Sequence, residues 1–511
     1  MRVFIFTAVA SLLWSLPSQV LAQSKSTNRT ASRAESQRLH RLETQFEQMR
    51  AVLRIPGMSA AIVKNQRLLW AKGFGYADLE KRIPATPRTL YYIASLTKPF
   101  AATALMQLVE QGKLDLDDPM SQYSSEFKDD TVKVKHVLSH TANAPPGDRF
   151  RYDGAKFSTL TAVIEKKTGR SFRDLLTEMY LDPLQMTDSI PSRDTFDAAA
   201  KNPNLYDQDK LRRYRLSLTR YAKPYRLYGD EIIQTTYPWE GISAAAGLLS
   251  TAPDLAKFLI AIDQNVYLKP KTQAQAWTPF VSNSGKTLPH GLGWFVQDYQ
   301  KLKCIWHFGN DPFEFSGTIV TIPAQGLSLI LLANSDALST PFLRSGILQS
   351  SPFVQSFLRL FVFEDKFGRG LADPDWRAGK DDFARQLDGF RKTTSDYAYE
   401  GEQRADGAMR AWLGENRRTA LKAVPVNPRT FDAYEGEYEL PDGKLLIVSR
   451  AGDRLMIQQQ GESKIEVFAE STTRFFTKAV DAEFMFVRDG NGKVTHMELY
   501  QSGTLILRKI K

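Results

Sequence analysis

Ser95-Leu96-Thr97-Lys98 stands directly before the apolar run PFAATALMQLV of residues 99–109. Residues three apart share one face of a helix, so the Ser95 hydroxyl and the Lys98 amine can meet, as proton abstraction by a neighbouring amine requires. Pro99 fits the first turn of a helix. A helix that starts here also brings free backbone N–H groups close to Ser95, where an oxyanion would form during acyl transfer. The motif predicts a nucleophilic serine with its own lysine.

The same S-x-x-K pattern occurs a second time, at Ser125-Glu126-Phe127-Lys128. A chain of this length should contain about two such matches by chance, so the pattern needs its context. The second match lies in a charged stretch that ends in Asp129-Asp130, and no apolar helix follows it. We interpret it as a surface loop.

Composition indicates a globular, exported protein. The chain has 511 residues, of which 42% are hydrophobic and 24% charged, which fits two or three domains with a large core. Residues 1–22 combine a basic start, an apolar stretch and the small-residue end Val20-Leu21-Ala22, the pattern of a cleaved signal peptide. The only cysteine, Cys304, can form no intramolecular disulfide and lies far from a lipoprotein anchor position. We expect a periplasmic or secreted protein without a membrane anchor.

The charge pattern bears on possible partners. The net charge is +10, and an exported protein of this charge more plausibly meets anionic envelope polymers or lipids than nucleic acid. Arg212, Arg213 and Arg215 lie in a basic stretch interleaved with tyrosines. This stretch is either a solvated helix face with tyrosines packed beneath it or an electropositive lid over a site for anionic substrates. The six histidines show no metal-ligand spacing, so we expect neither a metal nor a cofactor.

The order of the elements predicts an α+β fold. Two apolar strands around the turn 64–66 precede the Ser95 helix, and four short strands return between residues 294 and 333, with helical stretches between the two blocks. One sheet built from both ends of a domain at 46–365 is therefore expected. The sequence predicts a helical connector at residues 366–428. It predicts a small all-β barrel or sandwich at residues 429–511.

The sequence resembles the serine β-lactamase and penicillin-binding-protein-like family, in particular its class C and esterase branch. The resemblance covers roughly residues 46–361 and implies the β-lactamase/transpeptidase-like fold. Besides the S-x-x-K motif it rests on IPGMSAA (55–61), GFGYA (73–77), LVEQGKLDLDDP (108–119), HVLSHT (136–141), AGLLST (246–251) and GLGW (291–294).

The resemblance implies further site residues. Tyr152-Asp153-Gly154 takes the place of the family's Tyr-x-Asn motif, in which the tyrosine helps the lysine activate the serine and protonates the leaving group. A neighbouring lysine ammonium is expected to ease deprotonation of Tyr152. Gly154 cannot supply the family's side-chain amide, which puts peptide-like or β-lactam substrates in doubt.

His307-Phe308-Gly309 resembles the third motif of the family, which is Lys-Thr-Gly in true lactamases and His-x-Gly in many esterase-like relatives. The resemblance makes His307 a polar or positive wall of the site and pairs the backbone N–H of Asn310 with that of Ser95 in an oxyanion hole. Phe308 removes a hydroxyl that would contact a substrate carboxylate. His140 is interpreted as structural, because the stretch around it reads as a helix-end turn.

These features favour a serine hydrolase that works through an acyl-enzyme on a small ester, a peptide or a cell-wall-derived substrate, with Ser95, Lys98 and Tyr152 as catalytic residues. A DD-carboxypeptidase or β-lactamase activity is the alternative within this class. The alternative from another class is a non-catalytic envelope-binding protein that holds a polymer through Arg212, Arg213 and Arg215.

Overall fold

The computed structural model describes residues 33–143, 145–228, 231–299, 301–339, 348, 351–363, 423–440, 443–461, 464–477, 482–500 and 504–510. The predicted signal peptide and almost all of the predicted connector lie outside the described residues, so both stay predictions. Among the described residues, no helix combines the length and the hydrophobicity that a bilayer span needs.

The chain divides into a short N-terminal unit, residues 1–41, and a main unit, residues 42–511. The described helices are α1 (Arg33–Val52), α2 (Lys98–Glu110), α3 (Val134–Leu138), α4 (Gly154–Ser158), α5 (Leu160–Thr168), α6 (Phe172–Leu176), α7 (Thr195–Ala198), α8 (Gln208–Leu218), α9 (Ala252–Asp263), α10 (Pro270–Ala276) and α11 (Pro352–Phe357).

The described strands form a central sheet, two small two-stranded sheets and a barrel. They are β1 (Gly57–Lys64), β2 (Arg67–Asp78), β3 (Ile83–Pro84), β4 (Tyr91–Tyr92), β5 (Tyr225–Tyr228), β6 (Glu231–Gln234), β7 (Leu249–Ser250), β8 (Phe295–Tyr299), β9 (Leu302–Asp311), β10 (Phe315–Ile322), β11 (Leu327–Ala333), β12 (Gly436–Glu439), β13 (Leu445–Ala451), β14 (Arg454–Gln459), β15 (Ile465–Ala469), β16 (Arg474–Thr477), β17 (Glu483–Arg488), β18 (Val494–Tyr500) and β19 (Thr504–Lys509).

The central sheet has the strand order β3-β2-β1-β11-β10-β9-β8. Its middle joins the two ends of the domain, because β1 pairs antiparallel with β11, with Met58 opposite Ala333. β10 and β11 are buried along their whole length, which fits their nearly continuous apolar sequences. The predicted hairpin, the four later strands and the single sheet built from both ends are all confirmed.

Two helices place the serine motif against this sheet. Ala94–Thr97 form a 3-10 turn that leads directly into α2. Phe100 of α2 stacks on Phe258 of α9, with ring centroids 3.7 Å apart. The sequence Thr251-Ala252-Pro253-Asp254 predicts a capped helix start, and the Thr251 side chain does accept the backbone N–H of Asp254 at the start of α9. The sequence at 157–167 predicts one helix, whereas the structure has two consecutive helices, α4 and α5, which meet at Thr159.

The C-terminal strands β12 to β19 form a closed barrel. Closure comes from the pairing of β12 with β19, where Tyr438 lies opposite Lys509. The interior is aromatic, and Tyr434 stacks on Phe486 with ring centroids 4.2 Å apart. The barrel is the first of the two architectures predicted for this region. The apolar runs at 445–448, 455–457, 484–487 and 505–507 predict parts of β13, β14, β17 and β19, whereas β12, β15, β16 and β18 were not predicted.

Candidate active site

Ser95 and Lys98 meet as the S-x-x-K spacing predicts. The Lys98 Nζ atom lies 2.8 Å from Ser95 Oγ. Ser95 is partly exposed, whereas every other residue between 91 and 100 is buried. The serine is therefore the one side chain of this segment that a substrate can reach, with its lysine enclosed behind it.

The backbone before Ser95 adopts a conformation that non-glycine residues rarely take. Ala94 has φ of 48°, in the left-handed region, which costs a residue with a Cβ atom about 1 kcal/mol. The Thr97 hydroxyl donates to the Ala94 carbonyl at 2.8 Å, and accepts the backbone N–H of Leu248. These contacts hold the strained turn in place, as is common where backbone strain is found at reactive sites.

Lys98 is only 1% exposed, and no carboxylate of the described residues is in hydrogen-bond contact with it. Its second hydrogen bond goes to the backbone carbonyl of Ala245, at 3.0 Å. Burial lowers the pKa of Lys98 to about 7, because the charged form loses its hydration, and the charge of Asp153 offsets only part of this. A neutral amine, the form that can accept a proton from a serine, is therefore accessible near neutral pH.

Tyr152 is the third residue of the predicted catalytic set and packs beside Lys98. Its ring packs 5.1 Å from the Lys98 Nζ atom. Burial raises the pKa of the Tyr152 hydroxyl, and the interaction with Ser95 offsets only part of that rise. Tyr152 is therefore harder to deprotonate than a free tyrosine, contrary to the expectation of easier deprotonation, because burial disfavours the phenolate.

Two buried histidines pack against Tyr152, and a third contacts both of them. Its ring centroid lies 4.3 Å from that of His140 and 6.2 Å from that of His307. His290 contacts His140 edge to face, with centroids 4.9 Å apart. Burial lowers the pKa of all three imidazoles, that of His290 to about 3, so the cluster is neutral at physiological pH. Of the two forms expected for His307, polar or positive, the environment favours the neutral one.

The motif His307-Phe308-Gly309 lies on β9, beside the serine turn. A Cβ atom at Gly309 would lie 2.3 Å from the carbonyl oxygen of Ile93, so only glycine lets β9 approach the turn this closely. Phe308 is buried and stacks on Tyr152, with centroids 5.3 Å apart. Asn310 is the next residue along β9 and pairs with Ser316 of β10. Strand β9 thus passes beside Ser95, the predicted nucleophile, as the family resemblance implies.

Gly154 is the first residue of α4. A Cβ atom at this position would have one neighbour within 4 Å, the Lys98 Nζ atom at 4.0 Å. The missing side chain therefore leaves open space directly beside the lysine.

The second S-x-x-K pattern is a surface turn, as predicted. Ser125 and Lys128 are both exposed. Lys128 donates to the backbone carbonyl of Ser125 and not to its hydroxyl.

The basic stretch forms α8. Arg212, Arg213 and Arg215 are exposed, and Arg212 pairs with Asp209 on the same helix. Tyr206 and Tyr214 are buried beneath them. These positions agree with a solvated helix face over packed tyrosines, and binding of an anionic partner by the three arginines stays a prediction.

Two contributors to the site were missed from the sequence. His140 does lie in the turn after α3, with φ of 56°, as predicted. Its ring also packs on Tyr152, a contact that a turn residue gives no sign of. The Ala245 carbonyl left no signal in the sequence at all, because any residue type supplies a backbone carbonyl.

Comparison with protein families agrees with this geometry. A family model described as Beta-lactamase matches residues 42–346, more than half of the chain. A second model, described as a domain of unknown function (DUF3471), matches residues 420–509, which include the barrel.

Individual relatives are distant. Penicillin-binding protein 4* of Bacillus subtilis (strain 168) is 22% identical over 514 residues, which are 92% of this chain and 98% of that protein. Protein flp of Staphylococcus aureus (strain MW2) is 26% identical over 327 residues, which are 56% of this chain and 61% of that protein.

Two solved structures show the shared fold. An octameric penicillin-binding protein homologue from Pyrococcus abyssi has a TM-score of 0.53 and 21% identity, covering 92% of this chain and 100% of its own. A mutant of a class C β-lactamase has a TM-score of 0.50 and 20% identity, covering 64% of this chain and 99% of its own. The predicted fold and the predicted family resemblance are both confirmed.

Proposed function

Because the chain belongs to the β-lactamase family of serine hydrolases, we propose that it is an exported hydrolase that cleaves ester or amide substrates through an acyl-enzyme on Ser95. The observation that carries the proposal is the contact between Ser95 Oγ and the amine of Lys98, a buried lysine that contacts no carboxylate in the part of the chain that the structure describes. A serine hydroxyl is a weak nucleophile until a neighbouring base takes its proton.

In acylation, neutral Lys98 takes the hydroxyl proton as Ser95 Oγ attacks the carbonyl carbon. The lowered pKa of Lys98 supports this assignment of the base, and the raised pKa of Tyr152 supports a tyrosine that stays protonated. When the intermediate collapses, Tyr152 gives its proton to the leaving group and receives one from the Lys98 ammonium. Water then attacks the acyl-enzyme by the reverse proton path, which restores all three side chains.

The tetrahedral oxyanion is assigned to the backbone N–H groups of Ser95 and Asn310. Two observations support this assignment. The 3-10 turn at the start of α2 leaves early N–H groups without helix partners, and Gly309 lets β9 approach that turn closely. Two fixed donors aimed at the developing charge are what acyl transfer requires.

Two residues bear on the substrate. Gly154 offers no amide to a substrate acylamido group, and Phe308 offers no hydroxyl to a substrate carboxylate. Its ring lies on Tyr152 instead. These positions favour an ester, or an amide recognised by other groups, over a β-lactam. A DD-carboxypeptidase or β-lactamase activity is the second candidate, favoured by the intact set of Ser95, Lys98 and Tyr152.

The experiment compares initial rates of the wild type and Ser95→Ala on a short-chain nitrophenyl ester, a chromogenic cephalosporin and a D-alanyl-D-alanine peptide. Ser125→Ala is the matched control, because it removes the serine of the other S-x-x-K pattern. Turnover that is lost in Ser95→Ala and kept in Ser125→Ala establishes the hydrolase, and the substrate that is turned over gives its class.

Intact-mass spectrometry of the wild type with each substrate should show an acyl adduct that Ser95→Ala lacks. Turnover that survives in Ser95→Ala would contradict the proposal. The non-catalytic alternative predicts polymer binding that is unchanged in Ser95→Ala and lost on charge reversal at Arg212, Arg213 and Arg215.

A further inference from the structure

The imidazole ring of His140 makes one hydrogen bond among the described residues, and the geometry of that bond fixes the protonation state of the ring. Its Nδ1 atom accepts the backbone N–H of Asp153 at 3.1 Å. A neutral imidazole that accepts at Nδ1 carries its proton on Nε2, and the Nε2 atom of His140 is buried without a hydrogen-bond partner in the described part of the chain. The ring is thus anchored through Nδ1 alone.

That anchor lies next to the proposed proton carrier in sequence and in space. Asp153 directly follows Tyr152, and the His140 ring lies 4.3 Å from the Tyr152 ring, tilted by 31°. His140 also stacks on Phe157 of α4, with centroids 5.2 Å apart. One side chain therefore holds the backbone after Tyr152 and supports the face of its ring.

We propose that His140 is a positioning residue, whose neutral ring holds Tyr152 in line with Ser95 by accepting the Asp153 N–H. The inference rests on the proposed function, because it takes Tyr152 to be part of the catalytic set. Protonation would turn the Nδ1 atom from an acceptor into a donor that faces another N–H group. The hydrogen bond from the Asp153 N–H to His140 can therefore form only while the imidazole is neutral.

The surroundings of His140 keep it neutral. The titratable groups that face it are Tyr152, His290, His307 and Lys98, and its Nδ1 atom faces the backbone N–H of Asp153. Burial, the two histidines and the lysine all disfavour a further positive charge, so the pKa of His140 lies well below its usual value. The positioning contact is thus available over the whole pH range in which Lys98 can act as a base.

His136 provides a matched control within the same segment. It too is buried, and its Nδ1 atom also accepts a backbone N–H, that of Lys133, at 3.1 Å. Its ring, however, packs edge to face on Phe280. Loss of the His136 acceptor should cost stability in the same way and leave Tyr152 where it is.

The test is a double-mutant cycle read by turnover of a nitrophenyl ester and by the rate at which a fluorophosphonate probe labels Ser95. His140→Phe keeps an aromatic ring and loses the acceptor. His140→Asn keeps an acceptor, loses the ring, and tolerates the left-handed backbone. We expect His140→Phe to lower kcat roughly tenfold or more with little change in KM, because a small misplacement of a proton carrier is costly, and His140→Asn to restore most of kcat.

The decisive comparison uses the Tyr152→Phe background. A residue that acts through Tyr152 has no further effect there, so His140→Phe should change neither turnover nor labelling rate in that variant. His136→Phe should leave both rates unchanged in either background. Thermal unfolding of each variant shows that the protein measured is folded.

Equal losses from His140→Phe in the wild-type and Tyr152→Phe backgrounds would overturn the inference, as would equal effects of His140→Phe and His136→Phe. It would also be overturned if His140→Asn were as slow as His140→Phe. Turnover that survives in Ser95→Ala would instead contradict the proposed function itself, so the two failures are distinguishable.

Discussion

The amine of Lys98 lies 3.0 Å from the carbonyl oxygen of Ala245, so among the described residues the lysine that contacts Ser95 is held by a backbone carbonyl and not by a carboxylate. A carboxylate partner would stabilise the ammonium and raise its pKa. A carbonyl oxygen fixes the position of the amine with much less stabilisation of the charged form, and burial then lowers the pKa to about 7.

The pH dependence of turnover should follow this lysine. Since Lys98 acts as a base only when neutral, kcat/KM should rise with pH and reach half its maximum near pH 7. A pH series with a nitrophenyl ester checks this. Lys98→Arg, which stays protonated, should show no such rise and about 100-fold lower turnover. A profile that is flat from pH 5 to 9 in the wild type would exclude Lys98 as the base.

Gly154→Asn should shift that profile. The new side chain would place an amide beside the Lys98 amine, where its oxygen accepts a hydrogen bond from the ammonium and favours the charged form. We expect the half-maximum of kcat/KM to move up by about half a pH unit or more. Gly154→Ala adds a Cβ atom at ordinary contact distance without an amide, and its profile should match the wild type.

Gly309→Ala should inactivate the protein. The added Cβ atom would collide with the Ile93 carbonyl at 2.3 Å, a backbone atom that cannot move without displacing the Ser95 turn. We expect ester turnover to fall by about two orders of magnitude together with a lower melting temperature. Gly490→Ala, in the barrel, meets nothing within 4 Å and is the control. Wild-type turnover in Gly309→Ala would show that β9 does not need this close approach.

Glu314→Gln should make stability less dependent on pH. Burial and the nearby Asp311 raise the pKa of Glu314 to about 8, and burial raises that of Asp311 to about 6. Between the pKa of the unfolded chain and these values the folded state binds more protons, so the free energy of unfolding falls as pH rises.

Thermal melts at pH 5 and pH 9 measure this effect. Glu314→Gln should match the wild type at pH 5 and exceed its stability at pH 9 by about 1 kcal/mol, allowing for the half-exposed position. Glu126→Gln, at an exposed loop position, is the control and should track the wild type at both pH values. A Glu314→Gln variant that is less stable than the wild type at pH 9 would contradict the raised pKa.

Local features of the site could be read from the sequence, because each depends on residues close together in the chain. The i, i+3 spacing of Ser95 and Lys98 and the Pro99 start of the helix fix their relative positions within one turn. The strand that carries His307 and Gly309 could be placed in the same way, from its apolar run and the turns around it.

The features of the site that the sequence did not predict depend on contacts between segments that are far apart in the chain. The Ala245 carbonyl reaches Lys98 across 147 residues, and no residue type marks that contact. The protonation states were misjudged for a related reason. The expectation for Tyr152 considered one neighbouring charge, whereas the largest cause of the pKa shifts of Tyr152 and Lys98 is burial, which only the folded structure determines.

The pairing of β1 with β11 sets an order of events during synthesis. The Gly57 N–H donates to the side chain of Asn334 across 277 residues, so the middle of the sheet can close only after the last of its strands has left the ribosome. Ser95 and Lys98 emerge early, without the strand β9 that flanks them. A chain that is still being made, or one truncated before β9, therefore carries Ser95 and Lys98 in an incomplete site.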